Sequence, residues 1–170
     1  MTATRAPAGV VINARAAARA HIGGVERLAR EMSDRLPLLH PERYRVLRPP
    51  RALAHRAGHL WEQVALPVMA RSAALIYSPA NLAPVASGRN VVVIHDVAAL
   101  RHPESYSRTY TAYQRVMLPR VADRARRLIT VSEFSKRELV EVLDVSPERI
   151  DVVPLGVDER FSPATDPEPA

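Results

Sequence analysis

Three residue pairs are of types that could bind a phosphate or a sugar: Gly23-Gly24, His95-Asp96 and Ser132-Glu133. A glycine pair that opens a helix lets a ligand approach the backbone, and the free amides of the first helical turn attract phosphate. An imidazole can hydrogen-bond a sugar hydroxyl, and an adjacent carboxylate can accept from a second hydroxyl. A serine that caps a helix can also contact a ligand in the same cleft.

Each pair also has a purely structural interpretation. A double glycine before a helix is commonly a turn, a strand-end histidine can be satisfied by backbone groups, and capping alone explains Ser132. The sequence contains no GxxxxGK[ST] motif and the glycine pair is not a GxGxxG fingerprint, which argues against a P-loop NTPase. His95, Asp96 and His102 lack a spacing that would bring three metal ligands together, so no metal site is expected.

The elements that would position these pairs alternate along the chain. Short apolar runs predict six strands, near residues 10–12, 44–47, 74–77, 90–94, 128–131 and 150–153. Apolar residues at helical spacing predict the main helices, near residues 24–36, 53–69, 106–117 and 133–143.

This alternation over short loops predicts an α/β fold, a mostly parallel, twisted, Rossmann-like sheet of six or seven strands with helices on both faces. In such a sheet ligands bind at the carboxyl ends of the strands. Gly23-Gly24 follow the first predicted strand, His95-Asp96 the fourth and Ser132-Glu133 the fifth. All three pairs are therefore expected at one edge of the sheet.

Three helical faces are predicted from apolar and aromatic spacing. The first helix is expected to end at Pro37, because proline removes a backbone donor. Tyr106, Tyr110 and Tyr113 could stack on a sugar or lipid acceptor, but their spacing favours a surface that faces the core. The predicted faces comprise Val25, Leu28, Met32 and Leu36; Leu60, Trp61, Val64 and Val68; and the three tyrosines with Met117.

Composition restricts the class of protein. At 170 residues with 47% apolar content, the chain can bury the core of one domain. The absence of cysteine excludes disulfides and thiolate metal sites and is typical of a reducing cytoplasm. No apolar run approaches the length of about 18 residues that a membrane span needs, so any membrane association is expected to be peripheral.

The net charge of +6 is carried by arginine, since Lys136 is the only lysine. Arginine favours bidentate contacts with phosphates and carboxylates, although a coding bias toward arginine explains most of this excess. With 5% aromatic residues and no recognisable nucleic-acid-binding motif, no nucleic-acid partner is expected.

Seven segments in order along the chain resemble the N-terminal half of retaining, nucleotide-sugar-dependent glycosyltransferases of family four. The similarity is greatest to the mannosyltransferase-like branch that builds bacterial polysaccharides. The segments are INAR at 12–15, IGGVER at 22–27, LWEQVALP at 60–67, YSPANLAP at 77–84, VIHDVAALRHPE at 93–104, ITVSEFSKREL at 129–139 and VVPLGVDERFSP at 152–163.

The resemblance implies a GT-B architecture, in which two Rossmann-like domains face each other across a cleft. It implies transfer of a hexose of mannose or glucose type from a nucleotide sugar to a glycan or lipid-linked acceptor. The anomeric configuration would be retained, without an obligatory metal or other cofactor. By this resemblance the glycine loop, Gly23 and Gly24, lies near the donor phosphates. The resemblance also places His95 and Asp96 near the transferring sugar, and Ser132 and Glu133 along the cleft.

The resemblance also implies a domain organisation. Residues 1–160 would form the acceptor-side domain and residues 161–170 a Pro-rich tail or interdomain linker, with a donor-binding domain expected beyond it. Two segments depart from the family pattern: Val25-Glu26-Arg27 replace a Gly-Arg-Tyr type sequence, and Leu155 stands where asparagine is commoner. The alternative to an enzyme domain is a stand-alone, non-catalytic binding or assembly module of the same fold.

Overall fold

A computed structural model describes residues 9–20, 23–54 and 57–157. Its described strands form one six-stranded sheet in which every neighbouring pair is parallel, in the order β2-β1-β3-β4-β5-β6. The predicted parallel α/β sheet is confirmed. The strands are β1 Val10–Asn13, β2 Tyr44–Leu47, β3 Leu75–Ser78, β4 Asn90–Val93, β5 Arg127–Thr130 and β6 Ile150–Val152.

Five described α-helices connect the strands, and four single turns of 3-10 helix supplement them. The α-helices are α1 Gly24–Leu39, α2 Gly58–Met69, α3 Ala98–Arg101, α4 Arg108–Arg124 and α5 Glu133–Leu143. The 3-10 turns are Ala16–Ala18, Arg51–Leu53, Pro103–Ser105 and Pro147–Arg149. Ile22, the end of the segment VVPLGVDERFSP at 152–163 and the Pro-rich tail at 161–170 lie outside the described residues.

Two adjacent residues of β2 show that helices cover both faces of the sheet. Val46 packs with Ala29 of α1, whereas Leu47 packs with Trp61 and Leu66 of α2. Because successive strand side chains point to opposite faces, α1 and α2 lie on opposite faces. Helices on both faces were predicted, and this is confirmed.

The main core lies on the α2 face, where α4 and α5 also pack. Strand register places Val92 beside Ser78 and Leu128 beside Val92, so these residues share the face of Ile76, which contacts α2. Val92 and Leu128 are fully buried in a cluster with side chains of α4 and α5, namely Leu118, Val121, Ala122 and Leu139. This layer fixes the strand ends from which the candidate site is built.

The predicted end of α1 at Pro37 is wrong. The helix continues to Leu39 with Pro37 inside its last turn. Proline takes a helical φ without strain and costs the helix one hydrogen bond, and near the carboxyl end few later turns depend on that bond.

The apolar face predicted for α2 is also wrong in part. Trp61 is buried, but the side chains of Leu60, Val64 and Val68 are 66%, 59% and 60% exposed. These three residues follow one another at intervals of four and form an outward stripe, because the helix instead buries the side that carries Trp61 and Leu66. Within the described ranges, no helix is both long enough and apolar enough to span a bilayer.

Candidate functional site

The carboxyl edge of the sheet brings together the residues that follow β1, β3, β4 and β5. All strands run in the same direction, so Arg15, Pro79, His95 and Ser132 each come shortly after a strand at this one edge. The sequence placed all three pairs at this edge, and the topology agrees for each, since Gly24 starts the helix that follows β1. Parallel sheets bind ligands at such edges because loops and helix N-termini converge there.

His95 is held by the loop that follows β3. Its backbone N–H donates to Asn81 Oδ1 at 2.9 Å, and its ring Nε2 lies 3.3 Å from the carbonyl oxygen of Pro79. Since a carbonyl can only accept, this contact requires a proton on Nε2, so Nδ1 is the acceptor whenever the ring carries a single proton. Nδ1 has no hydrogen bond to any described residue, and His95 is 8% exposed. Backbone satisfaction therefore accounts for only one of the two ring nitrogens.

Asn81 is a residue that the sequence interpretation assigned no role. Its φ of 53° lies in the left-handed region, where residues other than glycine are uncommon. In this conformation its backbone N–H donates to the Val93 carbonyl at 2.8 Å while its side chain accepts from His95. Asn81 thereby ties the β3 loop to the end of β4 and fixes the position of the histidine.

Asp96 is exposed and partly engaged in a local turn. Its Oδ1 accepts from the Ala98 backbone N–H at 2.9 Å, at the start of the short helix α3. A carboxylate has two oxygens and about four acceptor positions, so Asp96 keeps capacity for a ligand hydroxyl. The predicted role of Asp96 beside His95 remains a prediction.

The glycine pair forms the start of α1, with Gly23 as the N-cap residue. Neither glycine has a positive φ, so backbone conformation does not require glycine here. A Cβ added at Gly24 would meet no atom of the described part of the chain within 4 Å. The space over Gly24 is thus open to a ligand.

Glu26 alters the electrostatics of this helix start. Its Oε2 accepts from the Gly23 backbone N–H at 3.2 Å, and its Oε1 accepts from Arg19 at 3.1 Å. Burial acts to raise the pKa of Glu26, but these hydrogen bonds and the Arg19 charge outweigh it, and the pKa is lowered. A carboxylate therefore occupies one donor that a phosphate would otherwise use.

The variant Gly24→Ala tests whether Gly24 makes room for a ligand or only forms the turn before α1. We expect Gly24→Ala to stabilise the fold by about 0.5–1 kcal/mol, because alanine is the better helix residue. In a protein that also contains the donor-binding domain implied by the resemblance, the added methyl group should lower the rate of sugar transfer by about 10²-fold by displacing the donor. Thermal unfolding and initial rates measure the two effects. Gly88→Ala is the matched control, since its Cβ also meets open space but Gly88 precedes β4 at the opposite edge; equal activity losses in both variants would contradict the ligand-approach role.

Ser132 caps α5 as predicted. Its Oγ accepts from the Ser135 backbone N–H at 3.0 Å and donates to Ser135 Oγ at 3.1 Å. Capping accounts for these contacts without a ligand. Glu133 is exposed and forms no hydrogen bond or ion pair with any described residue, so its carboxylate is available at the edge.

A buried charged network at the same edge was missed by the sequence interpretation. Asn13 Nδ2 donates to Glu62 Oε1 at 2.6 Å and to Ser78 Oγ at 3.1 Å, and Arg15 Nε lies 3.0 Å from Glu62 Oε1. The side chains of Glu62 and Arg15 are 1% and 7% exposed. His59 Nδ1 lies 3.7 Å from Glu62 Oε2, beyond hydrogen-bond distance. We call these residues (Asn13, Arg15, His59, Glu62 and Ser78) the Glu62 network.

The Glu62 network favours an ionised carboxylate despite its burial. Desolvation acts to raise the pKa of Glu62, but contact with His59, the charge of Arg15 and the Asn13 hydrogen bond outweigh it, so the pKa lies below its ordinary value. Glu62 Oε2, Arg15 Nε and His59 Nδ1 have no well-directed hydrogen bond within the described part of the chain. The signal for this network was that Asn13 in INAR and Glu62 in LWEQVALP are polar residues with apolar neighbours, which indicates burial. The sequence did not indicate that the two segments contact each other.

The core-facing prediction for the tyrosines is wrong for two of the three. Tyr106 and Tyr110 are 40% and 41% exposed, and only Tyr113 is half-buried, with its ring centroid 5.1 Å from that of His59. Tyr106 precedes α4, which starts at Arg108 after the Ser107 cap. The helix buries a different side, which carries Thr111, Gln114, Leu118, Val121 and Ala122.

Among residues 9–20, 23–54 and 57–157, no group of three or more histidine, aspartate or glutamate side chains is arranged to hold a metal ion. No curated protein sequence matches the chain. The profile of the family described as Glycosyltransferase Family 4 matches residues 22–161, which is most of the chain, and the chain therefore belongs to this family.

Proposed function

We propose that this domain forms the acceptor-side wall of a glycosyltransferase. The enzyme would transfer a hexose from a nucleotide sugar to a glycan or lipid-linked acceptor and retain the anomeric configuration. The family match supports the transferase class, and the observation that carries the assignment is the free Nδ1 of His95 at the carboxyl edge of the sheet. The donor nucleotide would be held mainly by a second Rossmann-like domain.

The chemistry assigned to this wall is hydrogen bonding to the transferring sugar. Positive charge develops on the sugar ring during transfer while negative charge develops on the departing phosphate. With its proton fixed on Nε2, His95 can accept from a sugar hydroxyl through Nδ1, and this contact strengthens as the hydroxyl becomes more acidic. Gly23 and Gly24 would leave room for the donor phosphates, and Ser132 and Glu133 would line the same cleft. No step in this scheme needs a metal or another cofactor.

We expect residues 1–170 alone to transfer no sugar at a measurable rate. Transfer needs donor and acceptor to be oriented by both walls of a cleft, and such orientation can supply about 7–11 kcal/mol of barrier reduction. Release of nucleoside diphosphate from a panel of nucleotide hexoses measures the rate for this chain and for a protein that also contains a donor-binding domain. Turnover by residues 1–170 at the rate of the two-domain protein would contradict the one-wall assignment.

A non-catalytic binding module of the same fold is the second candidate, and Glu26 is the observation that favours it. The Glu26 carboxylate at the start of α1 repels a phosphate approaching the glycine pair and occupies the Gly23 N–H. If the Glu26 side chain has to move away before a donor phosphate can bind, Glu26→Gln should leave the donor affinity of the two-domain protein unchanged or increase it, because the repelling charge is removed. If no protein containing this domain binds a nucleotide sugar, the non-catalytic module is the correct assignment.

A further inference from the structure

Two tyrosines expose their rings as a pair at the carboxyl edge. The ring centroids of Tyr106 and Tyr110 are 5.6 Å apart and their planes are tilted by 30°. Each residue leaves about two-fifths of its surface in solvent. We call the two rings the tyrosine platform. Exposed aromatic rings that pack on each other instead of entering the core offer an apolar surface to a ligand.

Polar groups of the candidate site surround the tyrosine platform. Asp96 begins the turn into α3, and α3 packs against α4, which carries Tyr110. Burial is the main cause that raises the pKa of the Tyr110 phenol; contact with Gln114 and the charge of Arg19 act to lower this pKa, and the charge of Asp96 acts to raise it. One helical turn later, Tyr113 contacts His59 of the Glu62 network. An aromatic strip thus runs from the surface to the buried polar network.

The charges along this strip disfavour a phosphate. Arg15 is paired with Glu62, and Arg19 is paired with Glu26 at 3.1 Å. Both arginines are therefore already neutralised by carboxylates. Asp96 forms no ion pair with a cation in the described part of the chain, so its negative charge remains to repel an anion.

The geometry points to an acceptor subsite for an uncharged sugar. We propose that the tyrosine platform stacks on the apolar C–H face of a pyranose ring while the free Asp96 oxygen accepts from its hydroxyls. The acceptor group would then be a neutral sugar of a glycan and not a phosphate-bearing lipid end. A sugar ring presents both an apolar face and hydroxyl donors, which matches a ring pair beside a carboxylate. This inference rests on the proposed function, since it names the acceptor class of that site.

Backbone amide NMR of the 170-residue chain tests the platform directly. The probes are the methyl glycosides of mannose, glucose and galactose, their disaccharides, inorganic phosphate and farnesyl phosphate. We expect at least one sugar to shift the resonances of Tyr106, Tyr110 and Asp96. The Tyr106→Ala/Tyr110→Ala double variant should weaken that sugar's affinity about tenfold, whereas the matching double phenylalanine variant should preserve it. Val116→Ala, on the exposed side of α4, is the matched control and should leave affinity unchanged.

Each other outcome is decisive. The platform assignment is overturned if no sugar shifts these resonances, or if only phosphate or farnesyl phosphate does so. We expect the variants to remain folded because the substituted residues are exposed. Their amide spectra and thermal unfolding curves check this. If the double alanine variant of the two-domain protein still transfers sugar with an unchanged acceptor KM, the platform assignment is overturned and the proposed function is left intact. Sugar binding at the platform without transfer by any longer protein would overturn the proposed function and leave the platform intact.

Discussion

Replacing Glu62 by glutamine should destabilise the fold by about 3–5 kcal/mol, the range found when one partner of a buried ion pair is removed. Arg15 is almost completely buried, and the carboxylate 3.0 Å from its Nε is the only one near it among the described residues. The glutamine amide can still accept from Asn13, so most of the loss comes from the uncompensated charge of Arg15 and not from altered packing.

Urea unfolding of three variants checks the cause of this loss. Glu31→Gln removes the carboxylate of the exposed Glu31–Arg35 pair and is the matched control, with an expected cost below about 1 kcal/mol. The double variant Arg15→Met/Glu62→Gln should recover part of the lost stability, because no buried charge is left unpaired. A single Glu62→Gln variant as stable as Glu31→Gln would show that the Glu62 network contributes little.

The same pair predicts how stability depends on pH. The folded-state pKa of Glu62 lies below its ordinary value of 4.5, so its ionisation stabilises the fold fully above that pH. This contribution is lost as the pH falls below 4.5 through the lower folded-state pKa. The stability difference between the wild type and Glu62→Gln should therefore narrow in acid.

Strand positions and the location of the candidate site at the carboxyl edge could be predicted from the sequence because they depend on local signals. The β-branched run that ends at Ile94 marks a buried strand, and a parallel sheet places whatever follows it at the ligand edge. His95 was placed at the carboxyl edge in this way, and its role stays a prediction. The left-handed Asn81 that holds it gave no such signal, because its conformation depends on the contact with His95 fourteen residues away.

Long-range pairing and helix rotation were beyond what spacing could resolve. Asn13 and Glu62 are 49 residues apart, and nothing local to either segment indicates that they meet. In α2 and α4 the apolar or aromatic spacing fits a helix, but it does not determine which side turns inward. Leu60 and Tyr110 are exposed because Trp61 and Gln114 occupy the buried sides instead.

In the proposed two-domain enzyme, replacing His95 by alanine should reduce turnover by about 10²–10³-fold, as expected for the loss of one preorganised polar contact. Asn81 holds the backbone of the histidine and Pro79 holds its ring, so Nδ1 is presented in one orientation without a cost of reorganisation during transfer. Because the contact strengthens as charge develops, the loss should appear in kcat, with a smaller change in donor KM.

Steady-state rates with saturating donor measure this effect, and thermal unfolding of the same variant separates it from loss of the fold. His102→Ala is the matched control, since His102 is exposed and its ring has one ion-pair contact among the described residues, with Glu104 at 3.4 Å. His95→Gln should restore part of the rate if its amide oxygen can take the place of Nδ1 as acceptor. If the His95→Ala enzyme is stable and keeps wild-type turnover, then Nδ1 contacts no sugar during transfer. The role of the His95 ring would in that case be structural and limited to its contact with Pro79.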